Sequence, residues 1–258
     1  MSAGGFERWV RRHRPASAGR RPLVCFPPAG AAASFFLELA DAAPAQVEPW
    51  ALALPGREVR IAEPPLTEMA QLVEAVVGVL AAALSEPAIL LGHSMGASVA
   101  FEVARELERV QPGSVAHLIV SGRAGPRPGG RAAPAPVPPT DAELVDALRA
   151  LGGTPPEILD SPDMLELLLP PMRADYALLA TYEPRWRPPL GVPMTALVGD
   201  QDPTVDIEAA RTWRETCDAV FIARRVAGGH FYLQSDADEV ADAIADALIA
   251  LRLGAPNA

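Results

Sequence analysis

Between Ala88 and Val110 the chain reads AILLGHSMGASVAFEVARELERV, and this stretch limits the possible folds more than any other. Ala88 to Leu91 is a short apolar run without polar alternation, the pattern of a strand buried on both faces of a parallel sheet. From Ser94 to Val110 the spacing is that of an amphipathic helix. The junction is Gly92-His93-Ser94-Met95-Gly96, a G-x-S-x-G. Glycines two residues either side of a serine permit a strand-to-helix turn too sharp for side chains there. Such a turn holds the serine in a strained backbone conformation, with Oγ exposed above the sheet. The helix that follows aims its N-terminus at the same point, where negative charge is favoured.

The rest of the chain repeats this alternation. Leu23 to Phe26, Trp50 to Leu54, His117 to Val120, Met194 to Val198 and Val220 to Ala223 read as further strands. Thr67 to Leu84 (with Thr67 as N-cap), Asp206 to Thr216 and Asp236 to Leu253 read as helices. The expectation is an α/β fold, a mostly parallel central sheet flanked by helices. At 258 residues and 50% hydrophobic, the chain suits a single domain, 1–258, with a large core.

One interval breaks the alternation. Gly122 to Gly191 separates two strands and begins GPRPGGRAAPAPVPP, where prolines exclude helix and central strand alike. Helices are expected at Asp141 to Leu151 and Met164 to Thr181, broken at Pro155-Pro156 and Pro170-Pro171. Their apolar faces must be covered, which predicts a helical lid insertion, 122–190, over the carboxyl edge of the sheet.

A serine nucleophile needs a base, and the base needs an acid to orient it. Of four histidines, His13 sits among arginines, His93 lies inside the turn as a packing residue, and His117 falls within a buried strand. His230 follows Val226-Ala227-Gly228-Gly229 at the end of the last strand, where the loops of such a sheet converge, and is the expected base. The loop Gly199-Asp200-Gln201-Asp202-Pro203 offers two acids. Asp202 precedes a stiffening proline, whereas Asp200 suits an Asx-type turn. An oxyanion would be held by the N–H of Met95 and one from the loop Phe26-Pro27-Pro28-Ala29-Gly30-Ala31. Prolines donate nothing, so Ala29 supplies its first N–H.

The formal net charge of −10 argues against nucleic acid and anionic membranes as partners. The longest uncharged apolar run, Ala75 to Leu84, is about half the ~20 residues a membrane span requires. Cys25 and Cys217 fit neither a metal site nor a disulfide framework, and the N-terminus lacks a signal-peptide pattern. A cytoplasmic, metal-free monomer is expected.

The chain resembles the type II thioesterases, editing hydrolases of polyketide and nonribosomal peptide assembly lines within the α/β-hydrolase superfamily. The resemblance rests on Trp9 to Arg12, Cys25-Phe26-Pro27 with Ala29-Gly30, Pro55-Gly56-Arg57-Glu58, Arg60, Glu63-Pro64, the Gly92 to Ala97 turn, Gly199 to Pro203 and Gly228-Gly229-His230-Phe231. It implies an α/β-hydrolase fold and the triad Ser94, Asp202 and His230, with Asp202 the acid of a Gly-x-x-Asp pattern. Pro28 stands where the family usually has His or Tyr, and Ala31 where it has a second glycine; both stiffen the loop. The resemblance further implies no cofactor, the substrate riding on the phosphopantetheine arm of an acyl or peptidyl carrier protein. Arg8, Arg11, Arg12 and Arg14, or Arg123, Arg127 and Arg131, could dock such a partner; the alternative is an ordinary solvated charge run. Competing functions on this fold are a product-releasing thioesterase or cyclase, an acyltransferase, and a small-molecule esterase. A chain with its own start methionine and no carrier domain points to the free-standing enzyme.

Overall fold

The computed structural model describes residues 3–15, 17–126, 140–184 and 188–254. Among the described residues, seven strands form one sheet: β1 (Val10–Arg12), β2 (Arg21–Phe26), β3 (Val47–Leu52), β4 (Ala88–His93), β5 (Val115–Ser121), β6 (Met194–Gly199) and β7 (Phe221–Val226). Their order is β1-β3-β2-β4-β5-β6-β7, parallel throughout except for the antiparallel β1. The α-helices are α1 (Ala3–Trp9), α2 (Leu37–Ala42), α3 (Met69–Ala83), α4 (Met95–Val110), α5 (Asp141–Leu151), α6 (Pro156–Leu159), α7 (Pro162–Ala180), α8 (Ile207–Arg211) and α9 (Ala237–Gly254).

Both faces of the sheet are covered, and neighbouring strand residues divide between them. Val24, Phe26, Leu90 and Val120 pack with Leu72 and Val76 of α3 and Phe101 and Ala104 of α4. Leu23, Cys25, Ile89, Leu91 and Ile119 pack with Leu39 of α2 and Val240 and Ile244 of α9. Burial on both sides is why the strand sequences show no polar alternation.

The structure corrects several boundaries. β3 begins at Val47 rather than Trp50 and includes Pro49. The proline is tolerated because β1 pairs only with Trp50, Ala51 and Leu52, leaving that side of β3 free at Pro49. β7 runs to Val226 through Arg224 and Arg225, charges that an edge strand accepts. The helix expected from Thr67 starts at Met69 without a side-chain cap. The expected helix from Asp206 divides into α8 and a 3-10 turn, Thr212–Thr216, with Asp206 capping Ala209 N–H at 2.7 Å.

Between β5 and β6 lie α5, α6 and α7. A capping box of Thr140 and Glu143 starts α5. The helices share a small core of Leu144, Val145, Leu148, Leu159, Leu169 and Met172, with Ala29 packed against it. α7 passes through Pro170 and Pro171 without the expected break. Each proline removes one intrahelical hydrogen bond, but the helix buries Leu169, Pro171, Met172, Ala174, Asp175, Leu178 and Leu179, and this packing outweighs local preference. Of the proline-rich run, residues 127–139 lie outside the described residues.

Candidate active site

The site lies where loops leave the carboxyl ends of β2, β4, β6 and β7. Ser94 sits between β4 and α4 with φ 54° and ψ −117°, a left-handed conformation rare for serine. The glycines make the turn possible by close approach. A Cβ on Gly92 would overlap the carbonyl oxygen of Gly96, and one on Gly96 would overlap that of Phe26. The turn is fastened to the neighbouring strand by Ser94 N–H, which donates to Ser121 O at 2.8 Å.

His230 is 4% exposed, and its Nδ1 lies 2.7 Å from Asp202 Oδ2. The other carboxylate oxygen of Asp202 accepts from Thr204 N–H at 2.8 Å, Thr204 Oγ1 at 2.7 Å and Val205 N–H at 3.3 Å. Burial works against a charged Asp202, but the hydrogen bonds from His230 and Thr204 prevail and hold its carboxyl below the usual range. Asp200 is exposed and does something else: its Oδ1 accepts Gly228 N–H at 3.0 Å, tying the loop after β6 to the loop that carries His230. The expected Asx-type turn is therefore replaced by a bond between loops, and Asp202 is the carboxylate that meets the histidine.

The imidazole of His230 lies beside the elbow, 5.2 Å between ring centroids from His93. Ser94 Oγ makes no hydrogen bond among the described residues, a looseness common in unliganded nucleophile–base pairs. His93 is fully buried, stacked on Phe35, with Nδ1 2.7 Å from Ser121 Oγ, which in turn bonds Tyr232 Oη. Burial pushes its pKa down to about 3, so it stays neutral beside the site. His117 is a core residue, bonded to Thr195 Oγ1 at 2.9 Å, and His13 bonds Ala33 O at 2.9 Å.

Met95 N–H is the first amide of α4, without an acceptor in the helix. In the loop after β2, Gly30 N–H donates to Asp175 Oδ2 at 2.7 Å and Ala31 N–H to Pro28 O at 3.1 Å. Between Pro27 and Ala31, Ala29 is left as the amide with no acceptor among the described residues. Beside this loop a cavity of about 410 Å³ opens between Ala29, Gly30, Leu148, Leu168, Met172 and Phe231.

Two features escape a linear reading. Thr204 closes an Asx-type turn on Asp202, its N–H donating to Oδ1 two residues back, where the sequence suggests such a turn at Asp200. Asp175 does leave a trace: it lies on the stripe Leu168, Met172, Asp175, Leu179, and a carboxylate among buried apolar positions requires a cationic partner. The N-terminal arginines do not form a free basic patch. Arg8 pairs with Glu63 at 2.7 Å and Arg12 with Glu48 at 2.9 Å, while Arg14 bonds Asp41 O. Arg11 Nη1 donates to Glu7 O, and Arg123 is only partly exposed. Arg127 and Arg131 lie outside the described residues. Among the described residues, no helix is long and apolar enough to cross a membrane, and no three His, Cys, Asp or Glu side chains are grouped to hold a metal ion.

Residues 21–248 match the family described as "Thioesterase domain". Thioesterase PikA5 of Streptomyces venezuelae is 37% identical, covering 97% of this chain and 88% of its own length. The Gramicidin S biosynthesis protein GrsT of Aneurinibacillus migulanus is 36% identical over 88% of each. Among solved structures, the type II thioesterase BorB from the borrelidin biosynthetic cluster superposes with a TM-score of 0.82 at 39% identity, over 93% of this chain and 97% of BorB. With a serine elbow, a histidine–aspartate pair and a parallel sheet between helices, the chain belongs to the thioesterase family, hydrolases of thioesters on an α/β-hydrolase fold.

Proposed function

We propose that this chain is a type II thioesterase that removes acyl groups from the phosphopantetheine arm of acyl or peptidyl carrier proteins. In this role it edits a polyketide or nonribosomal peptide assembly line. The observation that carries the reading is the His230–Asp202 pair, joined at 2.7 Å beside the Ser94 elbow. Ser94 Oγ attacks the thioester carbonyl as His230 Nε2 takes its proton. Asp202, accepting from Nδ1–H, fixes the tautomer and stabilises the imidazolium. Met95 and Ala29 N–H hold the oxyanion. Collapse of the intermediate expels the pantetheine thiol, protonated by His230. Water then gives its proton to His230, attacks the acyl-serine, and releases the acid and Ser94. No step calls for a metal or redox cofactor.

The helices α5 to α7 act as a lid, with the cavity of about 410 Å³ as the acyl chamber. Its apolar lining by Leu148, Leu168, Met172 and Phe231 suits an aliphatic acyl group. The names of GrsT, a gramicidin S biosynthesis protein, and BorB, a type II thioesterase of the borrelidin biosynthetic cluster, support the biosynthetic setting.

The test is intact-mass analysis of carrier proteins loaded with acetyl, propionyl and longer acyl-phosphopantetheine, with Ser94→Ala as control. Loss of the acyl mass with the free acid appearing, absent in Ser94→Ala, is expected. Transfer of the acyl group to another acceptor, or cleavage of small esters with carrier masses unchanged, would overturn the editing role.

A further inference from the structure

The loop that carries Ala29 closes a local turn, Ala31 N–H to Pro28 O at 3.1 Å, and groups distant in sequence tether that turn. Asp175, on the inserted helix α7, is 2% exposed and accepts Gly30 N–H through Oδ2 at 2.7 Å. The same carboxylate takes two hydrogen bonds from Arg57, Nη1 to Oδ2 at 2.8 Å and Nη2 to Oδ1 at 2.9 Å. Arg57, 7% exposed, also donates from Nη1 to Ala31 O at 3.0 Å. Its neighbour Glu58, at a left-handed φ of 47°, accepts Ser34 N–H through Oε1 at 3.3 Å. The helix and the loop are also in direct contact, since a Cβ on Gly30 would overlap Met172 Sδ.

Between Pro27 and Ala31 these bonds leave one amide, that of Ala29, to face the reaction. Prolines 27 and 28 have no N–H, Asp175 consumes that of Gly30, and Pro28 O consumes that of Ala31. A bidentate arginine–carboxylate pair is rigid and directional. Bonded to the amide on one side of the Gly30 peptide region and the carbonyl on the other, it fixes the loop's orientation. We propose that Asp175 and Arg57 are positioning residues for the oxyanion hole, so that the inserted helix sets the aim of Ala29 N–H and does more than wall the chamber. This rests on the proposed Ser94 chemistry.

The experiment compares Asp175→Asn and the paired exchange Arg57→Met with Asp175→Leu. The pair removes both charges together and so leaves no buried ion unpartnered. For each variant, kcat and KM are measured on an acyl N-acetylcysteamine thioester, with the rate at which a fluorophosphonate labels Ser94. The thermal midpoint reports the fold. Loss of a full oxyanion donor typically lowers kcat by about 10²–10³. A misdirected donor should lower kcat and the labelling rate together by roughly 10- to 100-fold, with KM within about threefold. Asp175→Glu keeps the charge but moves the carboxylate by one methylene; it should show the same loss, and it decides the matter if the other variants do not fold. A folded variant with kcat within about twofold of the parent, or one in which only KM rises, overturns the positioning role. Turnover retained in Ser94→Ala would instead overturn the proposed chemistry, independently of Asp175.

Discussion

The elbow and the inserted helices sit against the same reaction centre and are built in opposite ways. In the elbow, the turn is set by backbone packed on backbone. Gly92 lies against Gly96, Gly96 against Phe26 and Pro27, and Ser94 N–H is bonded to Ser121 O. In the insertion, three helices share a modest core and meet the oxyanion loop through Met172, Ala29 and one buried ion pair. The first arrangement tolerates almost no change, because backbone atoms cannot move aside. Apart from Asp175, the second can be re-lined residue by residue while the helices remain. Fixed chemistry and an adaptable chamber are thus assigned to different kinds of contact.

The contrast makes testable claims. Asp202→Asn should lower kcat/KM by about 10⁴-fold, because it sets the wrong tautomer on His230, whereas Asp200→Asn, which only loosens a bond between loops, should cost less than about tenfold. Steady-state kinetics of both variants would show a reversed ranking at once. Gly92→Ala should destabilise the fold by about 3 kcal/mol or more, or leave the protein insoluble, since the new methyl has only backbone to displace. Denaturant unfolding measures this, and a small loss would mean that the elbow is more compliant than its contacts suggest.

Acid should act on the sheet body and spare the insertion, whose described stretch from Thr140 to Pro184 contains no histidine. Burial lowers the pKa of His93 to about 3 and of His117 to about 4, both below the unfolded value of about 6.5. Both are neutral when folded and protonated when unfolded at pH 5. Their contribution is intact above about pH 6.5 and falls as pH drops toward those lower values, by about 2 kcal/mol each at pH 5. The thermal midpoint should fall from pH 7.5 to pH 5, and His117→Gln should flatten the slope. An unchanged slope would remove His117 from the account. The smallest effect is expected in the insertion: Pro170→Ala, at an exposed position, restores a helical N–H and should stabilise by about 1 kcal/mol with kcat unchanged. A lower midpoint would show that the proline shapes α7 rather than interrupting it.

Much of the catalytic edge can be read from local sequence. Strand, glycine-flanked serine and helix are consecutive, and His230 follows its strand by four residues. Asp200 and Asp202 are less separable along the chain, because both lie in one loop and the hydrogen bond to His230, across 28 residues, separates their roles. The edge strand β1 and helix α1 left no clear local signal: a three-residue strand is defined by its pairing with β3 more than by its own pattern.

What the sequence by itself determined is the set of features whose cause is local: the buried strands, the elbow, the inability of Pro27 and Pro28 to donate, and the apolar faces of the inserted helices. The tertiary structure decided what depends on distant partners. It carried α7 through two prolines, paired Arg8 and Arg12 with carboxylates, and brought Asp175 to Gly30 and Arg57 across 145 and 118 residues. Steric rules and periodicity act over a few residues and are written in order along the chain. A buried ion pair is favourable only once both partners have left water together, and that condition exists only in the folded molecule.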